Sequence, residues 1–504
     1  MRLFIETIKS IPPKVFFFGI SIYIIAAIFS VGFLHPDEHF QILEFASLKT
    51  GLNNPEDLAW EFNDRIRPSI QPIIAYLVIE GCDAVGISNP FSQSTVLRIV
   101  SSVMGFMVML LIIHTFKDEL EMEKLRKWFI YLSIFLWFLI LIHVRFSSEN
   151  WAGIFFFTGI SVYLNSKQKK NYIILLTGLL LGLSFLFRFQ TGIMIAGFFF
   201  WLLFINKESY KNILFLISGI CISVLVGIML DRFFYGEWTF TPWNYFIVNI
   251  VDDKAAQFGV QSWWFYFSEV LKHGVYPIGL IVIISVITFA ITFPKHVINW
   301  IIIPFFLIHL LIGHKEQRFL YPLVNALPVV IILSAPKFFN FIKKFWHNSN
   351  PEFLLKWIIY PLLILNLLIA IFESVIPADG YVPFYQYLYE NYRNEKTLLM
   401  YSGIDPWGRY KEPMKFYTPK GLIIRKSENP QMLRQVLNSN EYKNYKFLYL
   451  TNNFLLEEDY KNLKVKFTRS YLSLPEWVAN INFNNWLVRT TVFNLYEVSI
   501  PPTD

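Results

Sequence analysis

The chain is 504 residues long, 55% hydrophobic and only 16% charged, with 52 Phe residues; that balance excludes an ordinary soluble domain and makes lipid the natural solvent. The formal net charge of +7 does not mark a nucleic-acid partner, because Lys and Arg fall in short loops between apolar runs rather than along one stripe. Cys82 and Cys221 stand far apart in the chain and supply neither a disulfide framework nor a Cys-based metal site.

A bilayer core asks for roughly 17 to 25 mostly apolar residues per helix, and the chain offers about eleven such runs. They lie at roughly 14-34, 96-116, 128-144, 150-165, 171-187, 190-206, 212-231, 275-294, 297-313, 319-336 and 356-375. The first is long enough to span and has no small-residue cleavage pattern after it, so it reads as a span rather than a signal peptide. Basic loops set the orientation. With the N-terminus inside, the inner loops receive Arg2, Lys9 and Lys14, then Lys117, Lys124, Arg126 and Lys127, then Lys167, Lys169 and Lys170. Lys207, Lys211 and Lys295 follow, and finally Lys337, Lys343 and Lys344. The apolar stretch from Ile70 to Ile87 carries Glu80 and Asp83; counting it as a span would invert every later loop, so it reads as an interfacial helix on the outer face. Beyond about Val375 charge, Tyr and Asn increase and no run is long enough to span. The β-rich runs KFLYL at 446–450 and TTVFNLYEV at 490–498, with a helical PQMLRQVL at 430–437, predict a small extramembrane α/β domain. The expected division is therefore an all-α polytopic membrane domain over 1-375 and an outward-facing α/β domain over 376-504.

By the same parity the outer side collects polar residues that a helical bundle does not need. HPDEHFQ at 35–41 places His35, Asp37, Glu38, His39 and Gln41 at the end of the first span. A solvated loop with a capping acid is the plainer account of such a flank, and metal binding by His35 and His39 lacks a fixed ligand set, so no metal or cofactor is expected. Further outer turns bring Arg65 and Arg67, then Arg145, Glu149 and Asn150 in VRFSSENW, and Arg188 with Gln190 in FRFQTG; each alone also reads as an interfacial anchor. The loop DRFFYGEWTFTPWNYFIVNIVDD holds Asp231, Arg232, Asn244 and Asn249 among its aromatic residues. In GHKEQRFLYP, His314, Lys315, Glu316 and Arg318 interrupt two spans. A polar hairpin has that look for solubility alone, but the cations suit a phosphate, to which Arg offers a planar fork and Lys a point charge. An acid pair, cations and amides at headgroup depth match a lipid-linked sugar phosphate: cations hold the phosphate and a carboxylate deprotonates an acceptor hydroxyl.

On HPDEHFQ, VRFSSEN at 144–150, FYGEWTFTPWNYFIVN at 234–249 and HKEQRFLYP at 314–322, the chain resembles the family 22 glycosyltransferases. These are mannosyltransferases of GPI-anchor and N-glycan assembly that use dolichyl-phosphate mannose. The resemblance implies a GT-C fold, an active site on the lumenal or external face, and an inverting transfer that needs no nucleotide sugar. It implies a dolichyl or other polyprenyl phosphate donor and a glycan or glycolipid acceptor, in the endoplasmic reticulum membrane of a eukaryote or the inner membrane of a bacterium. The family's acidic motif falls on Asp37 and Glu38, and its HKE-x-RF motif on His314, Lys315, Glu316, Arg318 and Phe319. Asp37 is then the expected base, with Glu38 positioning the acceptor or sharing the role, and His314, Lys315 and Arg318 holding the donor phosphate. His35, Gln41, Arg145, Glu149, Asn150, Arg188, Asn244, Asn249 and Glu316 are the expected substrate contacts. Three other readings stay open: a transferase of the same architecture for another lipid-phosphate sugar in a bacterial membrane, a glycolipid transporter or flippase with charges near the midplane, and a non-catalytic subunit.

Overall fold

The computed structural model describes residues 7–9, 11–345, 355–408, 411–427, 430–452, 465–490 and 492–500. Arg2 and the side chains of Lys343 and Lys344 lie outside that description. In lipid every backbone N–H and C=O must be satisfied within its own segment, and each apolar run is accordingly helical. The long helices are α1 (Pro13–Phe29), α2 (Ile70–Ala84), α3 (Pro90–Phe116), α4 (Glu123–Phe135), α5 (Trp137–His143), α6 (Ser148–Asn165), α7 (Asn171–Phe187) and α8 (Gly192–Phe204). They continue with α9 (Tyr210–Tyr235), α10 (Phe265–His273), α11 (Tyr276–Thr292), α12 (Val297–Leu311), α13 (Leu327–Phe345), α14 (Tyr360–Val375) and α15 (Tyr381–Tyr392).

Among the described residues, four stretches are long and apolar enough to cross a membrane alone: Pro90–Glu119, Tyr210–Tyr235, Gln317–Phe341 and Trp357–Val375. The bent pairs α4 with α5 and α11 with α12 raise this to six if each pair is one span. α1 and α7, at 17 residues each, reach only about 25 Å at 1.5 Å per residue, short of a hydrocarbon core of about 30 Å. The run at 128-144 is interrupted: Leu136 is extended, and α4 and α5 meet at 42°. Asn366 of α14 satisfies the backbone groups freed there, accepting from Trp137 N–H at 3.0 Å and donating to the Phe135 carbonyl at 2.6 Å. α7 and α9 approach until a Cβ at Gly178 would stand 2.2 Å from the Leu216 carbonyl oxygen, the close contact that small residues permit between membrane helices.

The loops gather into two groups at opposite ends of these helices. At one end Lys169 pairs with Glu208 at 3.1 Å, Trp201 donates to the Lys295 carbonyl at 2.9 Å and His296 meets Glu119 at 3.0 Å. At the other, Ser69 donates to Asp231 at 2.7 Å, Gln261 N–H donates to the Gly313 carbonyl at 2.9 Å and Ala378 N–H to the Val31 carbonyl at 2.7 Å. α2 begins at Ser69 and leads through Asn89, whose side chain caps α3, so it lies across this second end rather than joining the two.

The C-terminal region adds a five-stranded sheet of β1 (Thr397–Ser402), β2 (Leu422–Lys426), β3 (Lys446–Thr451), β4 (Lys466–Leu472) and β5 (Asn494–Ser499), in the order β2-β1-β3-β5-β4. β1 pairs parallel with β2 and β3, and β5 antiparallel with β3 and β4. Alternate residues face opposite sides of a strand. Leu398 and Met400 therefore pack on Leu433 of helix α16 (Pro430–Leu437), while Leu399 and Tyr401 join Phe384, Tyr385 and the first-loop residues Phe40 and Phe45. That second face fastens the sheet over the polar end of the bundle.

Candidate active site

The first loop is anchored before it reaches its acids. Gly32 has φ +98°, and the space a Cβ would fill is taken by the Asp379 carboxylate, which accepts the Phe33 N–H at 2.8 Å. The chain then turns through His35 and Pro36, presents Asp37 and Glu38, and continues as a π-helical turn, His39–Leu43.

Arg318 is the centre of the charge network. It leaves the 3₁₀ segment Gln317–Ala326 and places Nη1 2.7 Å from Asp37 and 3.1 Å from Glu149, while its Nε donates to Glu316. Glu149 sits in the first turn of α6, whose N-terminus is capped by Ser147, and also meets Arg188 at 3.3 Å. Asp37 has a second cation, Arg67, at 3.4 Å. His35 lies between Asp37 and Glu316, 3.4 Å from each. These groups open on a cleft of about 530 Å³ lined by Asp37, Glu38, Gln41, Arg67, Gln71, Glu149 and Arg188 among others.

The two adjacent acids are held in different states. Burial alone would raise Asp37, but Arg318, His35 and Arg67 outweigh it and keep that carboxyl well below the usual carboxylate range. Burial pushes Glu38 up to about 7, because Arg145 only partly offsets it and Glu149 adds repulsion. Glu316, despite burial, is held below its ordinary value by hydrogen bonds and charge from His314 and Arg318. Glu61, joined to Gln41 at 2.8 Å, is raised by burial against the pull of Arg67.

Of the expected site residues, His35, Asp37, Glu38, Gln41, Glu149, Arg188, Glu316 and Arg318 come together at this end. His314 joins through Glu316 at 3.0 Å. Lys315 donates to the carbonyls of Ile312 and, at 3.1 Å, Gln261, so it fastens the hairpin. Asn150 donates to the His143 and Arg145 carbonyls at 3.2 and 2.8 Å, Asn244 to the Arg65 carbonyl at 3.2 Å and Asn249 to the Tyr245 carbonyl at 3.1 Å. Those three amides serve the backbone rather than the cleft wall. Arg145 lines a separate cavity behind Glu38. Sequence reasoning missed Glu61 and Gln71. Gln71 lines the cleft with both amide atoms buried and unpartnered; a lone amide opening the apolar run of α2 was the available signal.

The sequence pattern of the Alg9-like mannosyltransferase family matches residues 14–419. The chain belongs to that family. Membership makes it a glycosyltransferase of the mannosyltransferase type. It is 24% identical over 391 residues to GPI alpha-1,2-mannosyltransferase 3 of Xenopus laevis, covering 73% of this chain and 69% of the relative. It is 25% identical over 412 residues to GPI mannosyltransferase 3 of Debaryomyces hansenii, covering 76% and 69%. A shorter match, 30% over 174 residues, covers 22% of GPI mannosyltransferase 3 of Aspergillus fumigatus. In fold the Alg9-like chain is similar to ArnT from Cupriavidus metallidurans bound to undecaprenyl phosphate, with a TM-score of 0.55 at 9% identity over 97% of this chain and 98% of that one. The GT-C architecture implied by the resemblance is the one these two proteins share.

Proposed function

We propose that this Alg9-like protein transfers mannose, with inversion, from a polyprenyl phosphate, dolichyl phosphate in an endoplasmic reticulum membrane, to a hydroxyl of a glycan or glycolipid acceptor. The observation that carries the reading is the Asp37 carboxyl group, 2.7 Å from Arg318, in the wall of the polar cleft. The acceptor oxygen attacks the anomeric carbon, the bond from that carbon to the phosphate oxygen breaks, and Asp37 takes the hydroxyl proton. In an oxocarbenium-like transition state most of the bond to the leaving group is broken, so a carboxylate of low basicity is sufficient. The departing polyprenyl phosphate is a stabilised anion and needs no general acid; Arg318 and His314 balance its charge, while Lys315 holds the hairpin that carries them. Glu38 carries the second reading for the base, since a carboxyl pushed up to about 7 lies near the pH at which general bases work best.

In the membrane the chain makes about eleven passes, the short helices tilting little or thinning the bilayer around them. Residues 1-375 form the catalytic bundle and 376-504 an outer or lumenal domain that covers the site. The polyprenyl phosphate named with the ArnT structure supports that class of donor. Purified protein given a panel of radiolabelled dolichyl- and undecaprenyl-phosphate sugars with a glycolipid acceptor extract tests the reading. Mannose transfer that Asp37→Asn abolishes is expected. Transfer of a different sugar would replace the mannose assignment, and no transfer from any lipid phosphate would overturn the donor class.

A further inference from the structure

Behind the cleft lies a second, smaller cavity, and Glu38 stands in the wall of both. Arg98 of α3 and Arg145 line it, 4% and 1% exposed. Both guanidinium groups are held by neutral acceptors. Arg98 donates to the Ala27 carbonyl at 2.8 Å, Thr95 Oγ1 at 2.7 Å and Ser94 Oγ at 3.3 Å. Arg145 donates to the Gly32 carbonyl at 2.9 Å and to Ser30 Oγ.

Among the described residues neither arginine forms an ion pair with a carboxylate, unlike Arg318 with its three. The nearby acids are otherwise engaged. Asp379 accepts the N–H groups of Phe33, Tyr381 and Val382, and Glu38 accepts those of Leu34 and His35. Glu38 and Asp379 act on the two arginines only through space, and two buried cations without a directly paired anion are costly unless one arrives. The same wall holds one further polar atom without a partner: His39 bonds Glu44 at 2.7 Å through Nε2 and leaves its buried Nδ1 unfilled, a position for a hydroxyl of the ligand rather than for its phosphate oxygens. Tyr417, brought from the C-terminal region, stacks on His39 at 5.2 Å and completes the wall.

We propose that this cavity is a phosphate-ester site in which the forks of Arg98 and Arg145 hold the phosphate oxygens. Guanidinium matches phosphate in shape as well as charge. The site rests on the transferase reading for its ligand, which is either the phosphate of the polyprenyl carrier or one borne by a glycolipid acceptor; the two share this chemistry and both sit at headgroup depth.

The test uses the full chain in nanodiscs and measures binding of decaprenyl phosphate, of a phosphatidylinositol glycolipid and of inorganic phosphate. Arg98→Gln and Arg145→Gln remove one cation each, and Leu97→Trp fills the cavity while keeping both. Each variant should weaken one of the two lipid ligands at least about tenfold, the effect of losing one charged hydrogen bond. The lipid affected identifies the source of the phosphate. Asp37→Asn, which the transferase reading expects to stop transfer, should leave this binding intact, so the two proposals fail separately. If folded Leu97→Trp binds both lipids as tightly as the parent chain, or if only inorganic phosphate responds, the cavity is not a phosphate-ester site; that variant decides the matter should the arginine variants fail to fold.

Discussion

Asp37 and Glu38 are neighbours in sequence with opposite electrostatic surroundings, and substitution separates their roles. Asp37→Asn should fold, bind donor and lose at least about two orders of magnitude in transfer, the low end for a missing general base. Asn keeps the size and hydrogen-bonding capacity of Asp but takes no proton, so a merely structural loop acid would give a mild effect. Full activity in Asp37→Asn together with an inactive Glu38→Gln would move the base to Glu38. The pH dependence of stability supplies an independent check. Glu38 rises from 4.5 to about 7 on folding, so between those values the folded chain binds more protons than the unfolded one and stability falls as pH rises. Thermal unfolding of Glu38→Gln should therefore gain on the parent chain progressively from about pH 4.5 to about pH 7 and hold a constant margin above it; a margin independent of pH would contradict the burial of that carboxyl. The acids and cations themselves were legible in the sequence. Their pairing was not, because Arg318, Glu149 and Asp37 come from distant segments and only the packed bundle decides which cation meets which acid.

At the scale of elements, apolar length located the helices well and failed where tertiary contacts decide. No residue pattern at Leu136 announces a break, since the amide that stabilises it belongs to Asn366 on α14. In the sheet, β3 and β5 overlap the runs read as β-rich and α16 coincides with its predicted helix, whereas β1, β2 and β4 went unassigned. β4 is the most exposed of these, with an irregular burial pattern and a register shift between Arg469 and Tyr471. The contact of α7 with α9 yields a prediction specific to its geometry. A Cβ at Gly178 meets a backbone carbonyl that cannot rotate away, so Gly178→Ala should destabilise by about 1 to 3 kcal/mol, the usual range for overpacking. Gly81→Ala in α2, where an added Cβ has nothing within 4 Å, should be neutral or slightly stabilising by helix propensity. Thermal unfolding of both variants in the same detergent measures the contrast, and equal melting temperatures would mean that α7 and α9 do not pack this closely.

For the whole molecule, the two groups of loops make a single testable statement about sidedness. Lys169, Glu208, Lys295 and Glu119 mark one end, where the Lys-rich loops meet; Asp37, Arg188, Asp231, Gly313 and the C-terminal sheet mark the other. Positively charged loops are retained on the cytoplasmic side, which supports our proposal that the first end lies there and the cleft faces away from the cytosol. In a background with Cys82 and Cys221 replaced, single cysteines at Gln168, Ser262 and Lys443, all exposed, report on the basic end, the polar end and the C-terminal domain. An impermeant maleimide added to sealed, correctly oriented vesicles should label position 168 only from the cytosolic side, and positions 262 and 443 only from the opposite side. Labelling of 262 and 168 from one side would put the cleft and the Lys-rich loops in the same compartment, which no bundle joining these two ends across a bilayer permits. Labelling of 443 with 168 while 262 remains opposite would detach the C-terminal domain from the site, and with it the wall that Tyr417 contributes to the second cavity. The expected pattern leaves the carrier's lipid tail in the bilayer and its sugar beside Asp37, on the one face where an acceptor can reach both.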